Sequence, residues 1–217
     1  MALRSVNLHN IRYIGDRAFK HGGNLSTVMA PNDGIRSIGR DAFLHTEFFN
    51  RNPNNDVIYV GNWVIGFRGN IIGNVALRAG TIGIADGAFK NQTALQTITR
   101  PNTIRYIGAY AFGGSGLRNI SLQNIQYIDE GAFRNAENLT SVTTLNAVRS
   151  IGARAFANTA ITSFGFTPSV QCLGEAVFEN ARNLRSVSSM QSMVSITAIP
   201  DNFFYNTAQR VLQYQAG

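Results

Sequence analysis

Lysine is nearly missing from this 217-residue chain, with Lys20 and Lys90 the only two. Charge of either sign is scarce at 14% of residues, against roughly 25% in an ordinary soluble domain. The net charge of +7 is therefore almost all arginine. A basic excess attracts polyanions such as nucleic acid, acidic glycan or anionic lipid, and it equally serves solubility alone. A single cysteine, Cys172, excludes a disulfide within the chain. No apolar run approaches the roughly 20 residues that cross a bilayer as a helix. Met1 to His9 lacks the charged-then-apolar order of a signal peptide. The expectation is a chain not exported by that route, or one whose leader has been removed.

Signatures of catalysis are missing too. There is no Walker loop, nucleophile elbow or dinucleotide fingerprint, and Gly61, Gly66, Gly69 and Gly73 are not followed by a helical pattern. His9, His21 and His45 lack recurring cysteine or carboxylate neighbours, so no metal site is expected. Asp129 and Glu130 form a lone acidic pair on what reads as an exposed turn, where nothing would shift a pKa toward acid–base work. Neither enzyme activity nor a cofactor is expected. Asn24, Asn91, Asn119 and Asn138 begin formal glycosylation sequons, which the repeat itself generates.

What is present is repetition. Ile104-Arg-Tyr-Ile-Gly-Ala-Tyr-Ala-Phe112 has counterparts ending at Phe19, Phe43, Phe133, Phe156 and Phe178, and the anchor recurs at Phe89 and Phe204. Successive anchors are 24, 46, 23, 21, 23, 22 and 26 residues apart. The 46 is two units of 23, so one turn between Phe43 and Phe89 is disguised. A second phrase keeps step, as in Leu25-Ser-Thr-Val28, Leu117-Arg-Asn-Ile120 and Leu139-Thr-Ser-Val142. A period of 20–50 residues marks a solenoid. One turn cannot bury its own apolar anchors, but stacked turns bury them in columns. Both phrases are short, β-branched and bounded by Gly, Pro or Asn, so each reads as a short strand of a parallel ladder. The Ala-Phe segment reads as one helical turn. Two residues beyond each Phe stand His21, His45, Asn91, Gly114, Asn135, Asn158, Asn180 and Asn206, types enriched at positive φ, so a left-handed structural turn is predicted there.

The unit Leu-x-x-Val-x-x-Pro-x-x-Ile-x-x-Ile-Gly-x-x-Ala-Phe, seen from Leu25 to Phe43 with Pro31 in place and one extra residue before Ile35, closely resembles the BspA-like, or Treponema-type, leucine-rich repeat. The cysteine frequent in that family shortly after the Phe is replaced here by Gly22, Thr46, Gln92, Ser115, Ala136, Thr159, Ala181 and Thr207. The expected fold is an α/β, strand-rich, right-handed leucine-rich-repeat solenoid over residues 1–217, with short parallel strands and single-turn helices. The resemblance implies a non-catalytic surface recognition or adhesion module for protein or glycan, secreted or at the cell surface.

Equivalent positions of a solenoid form lanes. The first phrase presents Ser5, Thr27, Thr97, Asn119, Ser141, Ser163 and Ser186 outward, either a solvated β-face or a strip that a flat partner can approach closely. The second presents Arg12, Arg36, Arg105, Gln126, Arg149 and Gln171, with Tyr13, Ser37, Tyr106, Tyr127, Ser150 and Cys172 beside them. At the roughly 4.8 Å spacing of neighbouring strands these arginines would make a near-continuous basic ridge. Asp16, Asp41, Glu175 and the tyrosines are candidate partners for it, and a polyanion is a further one. Cys172 shares the tyrosine slot, which implies packing instead of reactivity.

Between about residues 46 and 80 the pattern breaks. Val57-Ile-Tyr-Val60 and Trp63-Val-Ile-Gly-Phe67 flank Gly61-Asn62, a hairpin signal. A protruding or edge hairpin is predicted, with Trp63 either a protruding contact or a cap on the core. Leu3 already sits in a strand phrase and Val211 to Gln215 reads as a last strand. Neither end shows a polar cap, so head-to-tail stacking into an oligomer or fibre is the alternative function.

Overall fold

The structure is a computed structural model that describes residues 2–31, 33–143, 145–188 and 202–207. The expected strand at 211–215 and any cap beyond it lie outside those residues. Each regular turn contributes one strand from each phrase, and strands of successive turns pair in parallel with like on like. Tyr106 stands opposite Tyr127, Tyr127 opposite Ser150 and Ser150 opposite Cys172. Second-phrase strands build a seven-stranded sheet running from Cys172–Leu173 back to Asp56–Val60. First-phrase strands pair two by two, as Asn119–Ser121 with Ser141–Thr143. Side chains alternate across a strand, so Ile120 and Val142 turn inward while the residues either side of them face out.

The anchors form one internal file. Phe89, Phe112, Phe133, Phe156 and Phe178 stack with ring centroids 5.4, 5.4, 5.2 and 5.9 Å apart, the first three pairs within 7° of parallel. All five rings are buried. Burying such a side chain contributes about 1.5–3 kcal/mol. Ring stacking adds about 0.5–1.5 kcal/mol per pair. Neither gain exists for a turn alone, which is why the fold is cooperative only as an array.

The segment before each Phe is a turn, not the expected helix. The only α-helix among the described residues is Glu47–Asn50, capped by Thr46. Two residues before each Phe the backbone is left-handed: φ is 56° at Arg17, 58° at Asp41, 53° at Tyr110, 55° at Arg154 and 52° at Ala176. An α-helix cannot pass through such a residue. The amide there is turned outward to bond the next turn, as Arg17 N–H does to Arg40 C=O at 2.9 Å. The column two residues after each Phe is left-handed as expected, from 62° at His21 to 54° at Asn206.

The disguised turn is where the hairpin docks. Asp56–Val60 pairs antiparallel with Trp63–Arg68, and Trp63–Arg68 pairs in parallel with Gly83–Ile84. The hairpin thus supplies the ladder strand of the lost turn and lies at the sheet edge without protruding. Trp63 is only 2% exposed, with its indole N–H on the Ile35 carbonyl at 3.1 Å. The protruding-contact reading of Trp63 is therefore corrected: its ring fills core left vacant by the lost repeat. No counterpart of Ala-Phe is made in this turn, so the Phe19–Phe43 stack (5.1 Å) and the file beginning at Phe89 belong to separate core clusters.

Candidate recognition surface

The small polar lane is real in space. Ser5 is opposite Thr27, Asn119 opposite Ser141 and Ser163 opposite Ser186. Thr97 is opposite Asn74, whose Oδ1 accepts from the Thr97 hydroxyl at 2.6 Å. Asn74 belongs to the lane but was not foreseen, because a register shift between Gly73 and Asn74 hides the phrase. A second outward lane runs beside the first, two residues along each strand: Asn7 with Met29, Ala76 with Thr99, Ser121 with Thr143 and Gly165 with Ser188. None of these outward residues is charged. The face is a grid of mostly short side chains, Met29 being the long exception, with about 4.8 Å between strands and about 6.6 Å along them. Hydroxyls and amides there both donate and accept.

The arginine lane is less continuous than expected. Arg36 N–H bonds Arg12 C=O at 2.7 Å, so those two are neighbours. Ile82 stands directly before Arg105, and Asn62 before Ile82, on backbone bonds of 2.9 Å each. Gln126 then separates Arg105 from Arg149. The Arg105 guanidinium folds back onto the Asn102 carbonyl at 2.6 Å. The expected acidic partners are elsewhere: Asp16 faces Arg40, and Asp41 holds Lys20 at 2.8 Å. Arg154, which is outside the lane, forms its ion pair with Glu179. Tyr106 stacks on Tyr127 at 5.2 Å and on Trp63 at 5.7 Å, whereas Tyr13 is 67% exposed. Cys172 is exposed on its strand, so its expected packing role is corrected. Arg100, which carried no repeat signal, braces the first-phrase side by bonding the Ser121 and Gln123 carbonyls at 2.8 Å each. Burial first, and Arg105 second, lower its pKa.

His21 and His45 stack at 4.9 Å as equivalent turns, and among the described residues no three potential metal ligands gather. Asp86 has its carboxyl pushed up to about 6, chiefly by burial. The lost turn leaves two open clefts. One, about 320 Å³, lies between the hairpin and Gly73–Ala76 and includes Ile72, which is 88% exposed. The other, about 180 Å³, lies between the Phe43 and Phe89 turns. No described helix is long and apolar enough to cross a membrane.

Comparison with known proteins agrees with this architecture. A sequence profile for the BspA type leucine-rich repeat region, in 6 copies, matches residues 1–71, 64–185 and 107–215. A leucine-rich repeat protein from Bacteroides ovatus shares the fold with a TM-score of 0.55 at 23% identity, over 85% of this chain and 49% of that one. The chain thus spans about half the length of that protein. A leucine-rich cell surface protein from Faecalibacterium prausnitzii aligns at 16% identity and a TM-score of 0.37, over 87% and 70% of the two chains. The leucine-rich repeat protein of T. pallidum aligns at 15% and 0.36, over 86% and 59%. No curated protein matches the chain.

Proposed function

Since the chain belongs to the BspA-type leucine-rich repeat family, we propose that it is a non-catalytic recognition module that binds protein or glycan through the first-phrase sheet, at the cell surface or outside the cell. The observation that supports this most is the double lane of uncharged, mostly short side chains, in register within each pair of successive turns. Such a face has almost no side-chain entropy to lose on contact. It offers regularly spaced donors and acceptors to an extended chain of amides or sugar hydroxyls. Affinity accumulates from many shallow contacts, and uncharged groups make it insensitive to salt.

The test is a glycan array and a panel of extracellular matrix proteins, probed with the wild type and with the Ser141→Arg/Ser163→Arg double variant. Both positions are exposed, so the variant folds normally while two long side chains obstruct the grid. Binding by the wild type that the variant loses supports the reading. Binding unaffected by both arginines places recognition elsewhere. Light scattering over a concentration series separates this from head-to-tail stacking, which predicts mass growing with concentration.

A further inference from the structure

In the regular array from the Phe89 to the Phe178 turn, the turn around one Phe bonds the turn around the next through main-chain groups. The amides at Phe minus two, Phe and Phe plus two donate forward to carbonyls of the following turn. Thus Gly87, Phe89 and Asn91 donate to Ala109, Ala111 and Gly113, each at 2.8 Å. The same triplet is formed from Arg17, Phe19 and His21 to Arg40, Ala42 and Leu44, at 2.9, 2.8 and 3.0 Å.

Between the Phe43 and Phe89 turns this triplet is missing. The amides of Asp41, Phe43 and His45 have no hydrogen-bond partner among the described residues, nor do the carbonyls of Asp86, Ala88 and Lys90. The two turns meet at one end, where Asp86 N–H bonds Ile38 C=O at 3.1 Å. They then splay apart around the cleft of about 180 Å³. Asp41, Phe43 and Leu44 line one wall, Asp86, Ala88 and Lys90 the other, and Phe49, Ile65 and Phe67 complete the lining. Phe43 and Ala88 are buried residues, and a buried main-chain group without a partner costs about 1–3 kcal/mol.

The geometry points to a peptide-binding slot: a short segment of a partner protein inserts between the two turns and is read through its main chain. Donors stand on one wall and acceptors on the other, at alternate residues, and each regular turn satisfies that same pattern with polypeptide backbone. Only a chain carrying both amides and carbonyls at that repeat answers both walls at once. Phe49, Ile65 and Phe67 admit one apolar side chain, and Asp41, Asp86 and Lys90 on the walls leave the flanking positions to small residues. This slot is separate from the sheet face and does not depend on it.

The probe is a blocked synthetic peptide, Gly-Ala-Tyr-Ala-Phe-Gly-Gly, which copies residues 108–114 of this chain and so carries the complementary triplet. Amide resonances of the full chain are followed as it is added. The expected result is saturable shifts and slowed exchange at Asp41, Phe43 and His45. The same peptide N-methylated at the Phe amide is expected to bind about tenfold more weakly, the loss of one main-chain hydrogen bond being worth that much. Leu44→Trp, which fills the cleft from a half-buried position, abolishes binding, while Ser141→Arg leaves it unchanged. No response at those amides, or equal affinity for the methylated peptide, overturns the slot. Protection of the same amides by dimerisation without peptide assigns the cleft to a second copy and overturns it as well.

Discussion

Trp63 reaches across the lost repeat to Ile35, its indole Nε1 donating to that main-chain carbonyl at 3.1 Å. The partners are 28 residues apart and lie in the same core cluster with Ile38, Phe43 and Ala85. On its other side the ring stacks against Tyr106, so a single residue ties the first turns to the regular array.

Trp63→Ala is expected to destabilise the chain by about 3–5 kcal/mol, the range for truncating a buried aromatic. Trp63→Phe keeps most of the packing but orphans the Ile35 carbonyl, costing about 1–3 kcal/mol. Urea unfolding of both variants checks the order. Equal, small effects would show that the hairpin does not tie the two core clusters together.

The repeats were legible because stacking forces chemistry into columns, and a column needs the same residue type in each turn. The left-handed position after each Phe was legible for the same reason, since Asn, His and Gly tolerate positive φ. The left-handed position before each Phe was not. Arg17, Asp41, Tyr110, Arg154 and Ala176 share no local preference, and their backbone is set by the amide bond to the next turn. A long-range bond overrides propensity there, which turned an expected helix into a turn. Gly61-Asn62 announced a hairpin, but where it docks depends on Trp63 meeting Gly83, whose lack of a side chain leaves room for the indole. The binding lanes were half legible: small residues in a column were visible, whereas the broken arginine ridge needed Ile82 to be placed.

Asn158 tests the left-handed column directly. Its φ is 56°, its amide bonds Glu179 C=O at 2.8 Å, and its side chain donates to Asn135 Oδ1 at 2.6 Å. Asn158→Gly keeps the backbone and loses one exposed side-chain bond, so the change is expected within about 0.5 kcal/mol. Asn158→Val puts a β-branched side chain in the left-handed region and costs about 1–2 kcal/mol or more. A thermal melt that fails to separate the two variants removes the backbone explanation.

Ser115 occupies the buried slot three residues after Phe112, and its Oγ has no partner. Thr46 and Thr159 fill the same slot and return their hydroxyls to the Phe43 and Phe156 carbonyls at 2.7 and 2.8 Å. Ala136 and Ala181 fill it without a polar atom. Ser115→Ala is therefore expected to stabilise the chain by about 1 kcal/mol, by removing an unsatisfied hydroxyl from the interior. Thr159→Ala gives up a satisfied bond and should cost about 0.5–1.5 kcal/mol. Opposite signs in denaturant midpoint confirm the distinction, and a loss of stability in Ser115→Ala refutes it.

Asp86 gives the fold a pH dependence whose sign follows from its carboxyl, raised from 3.8 to about 6. Burial is the main cause, aided by the charges of Asp129 and Asp16, and opposed by the Ala109 amide and Arg40. Well below pH 3.8 the group is protonated in the folded and unfolded chains alike. Between about 4 and 6 the unfolded chain ionises first, so the folded state binds more protons and loses stability as pH rises. Above about 6 both states are ionised and the penalty is constant. Asp86→Asn keeps an oxygen for the Ala109 amide, which Asp86 now bonds at 2.8 Å, and removes the charge. At pH 7 the variant should gain on the order of 1 kcal/mol, allowing for solvent screening of a part-exposed group, or about 2–4 °C in Tm at this length. At pH 3.5 the two proteins should melt together. A wild-type stability that instead climbs between pH 4 and 6, with the increase absent from Asp86→Asn, would mean that the carboxylate is held by a partner and not penalised by burial.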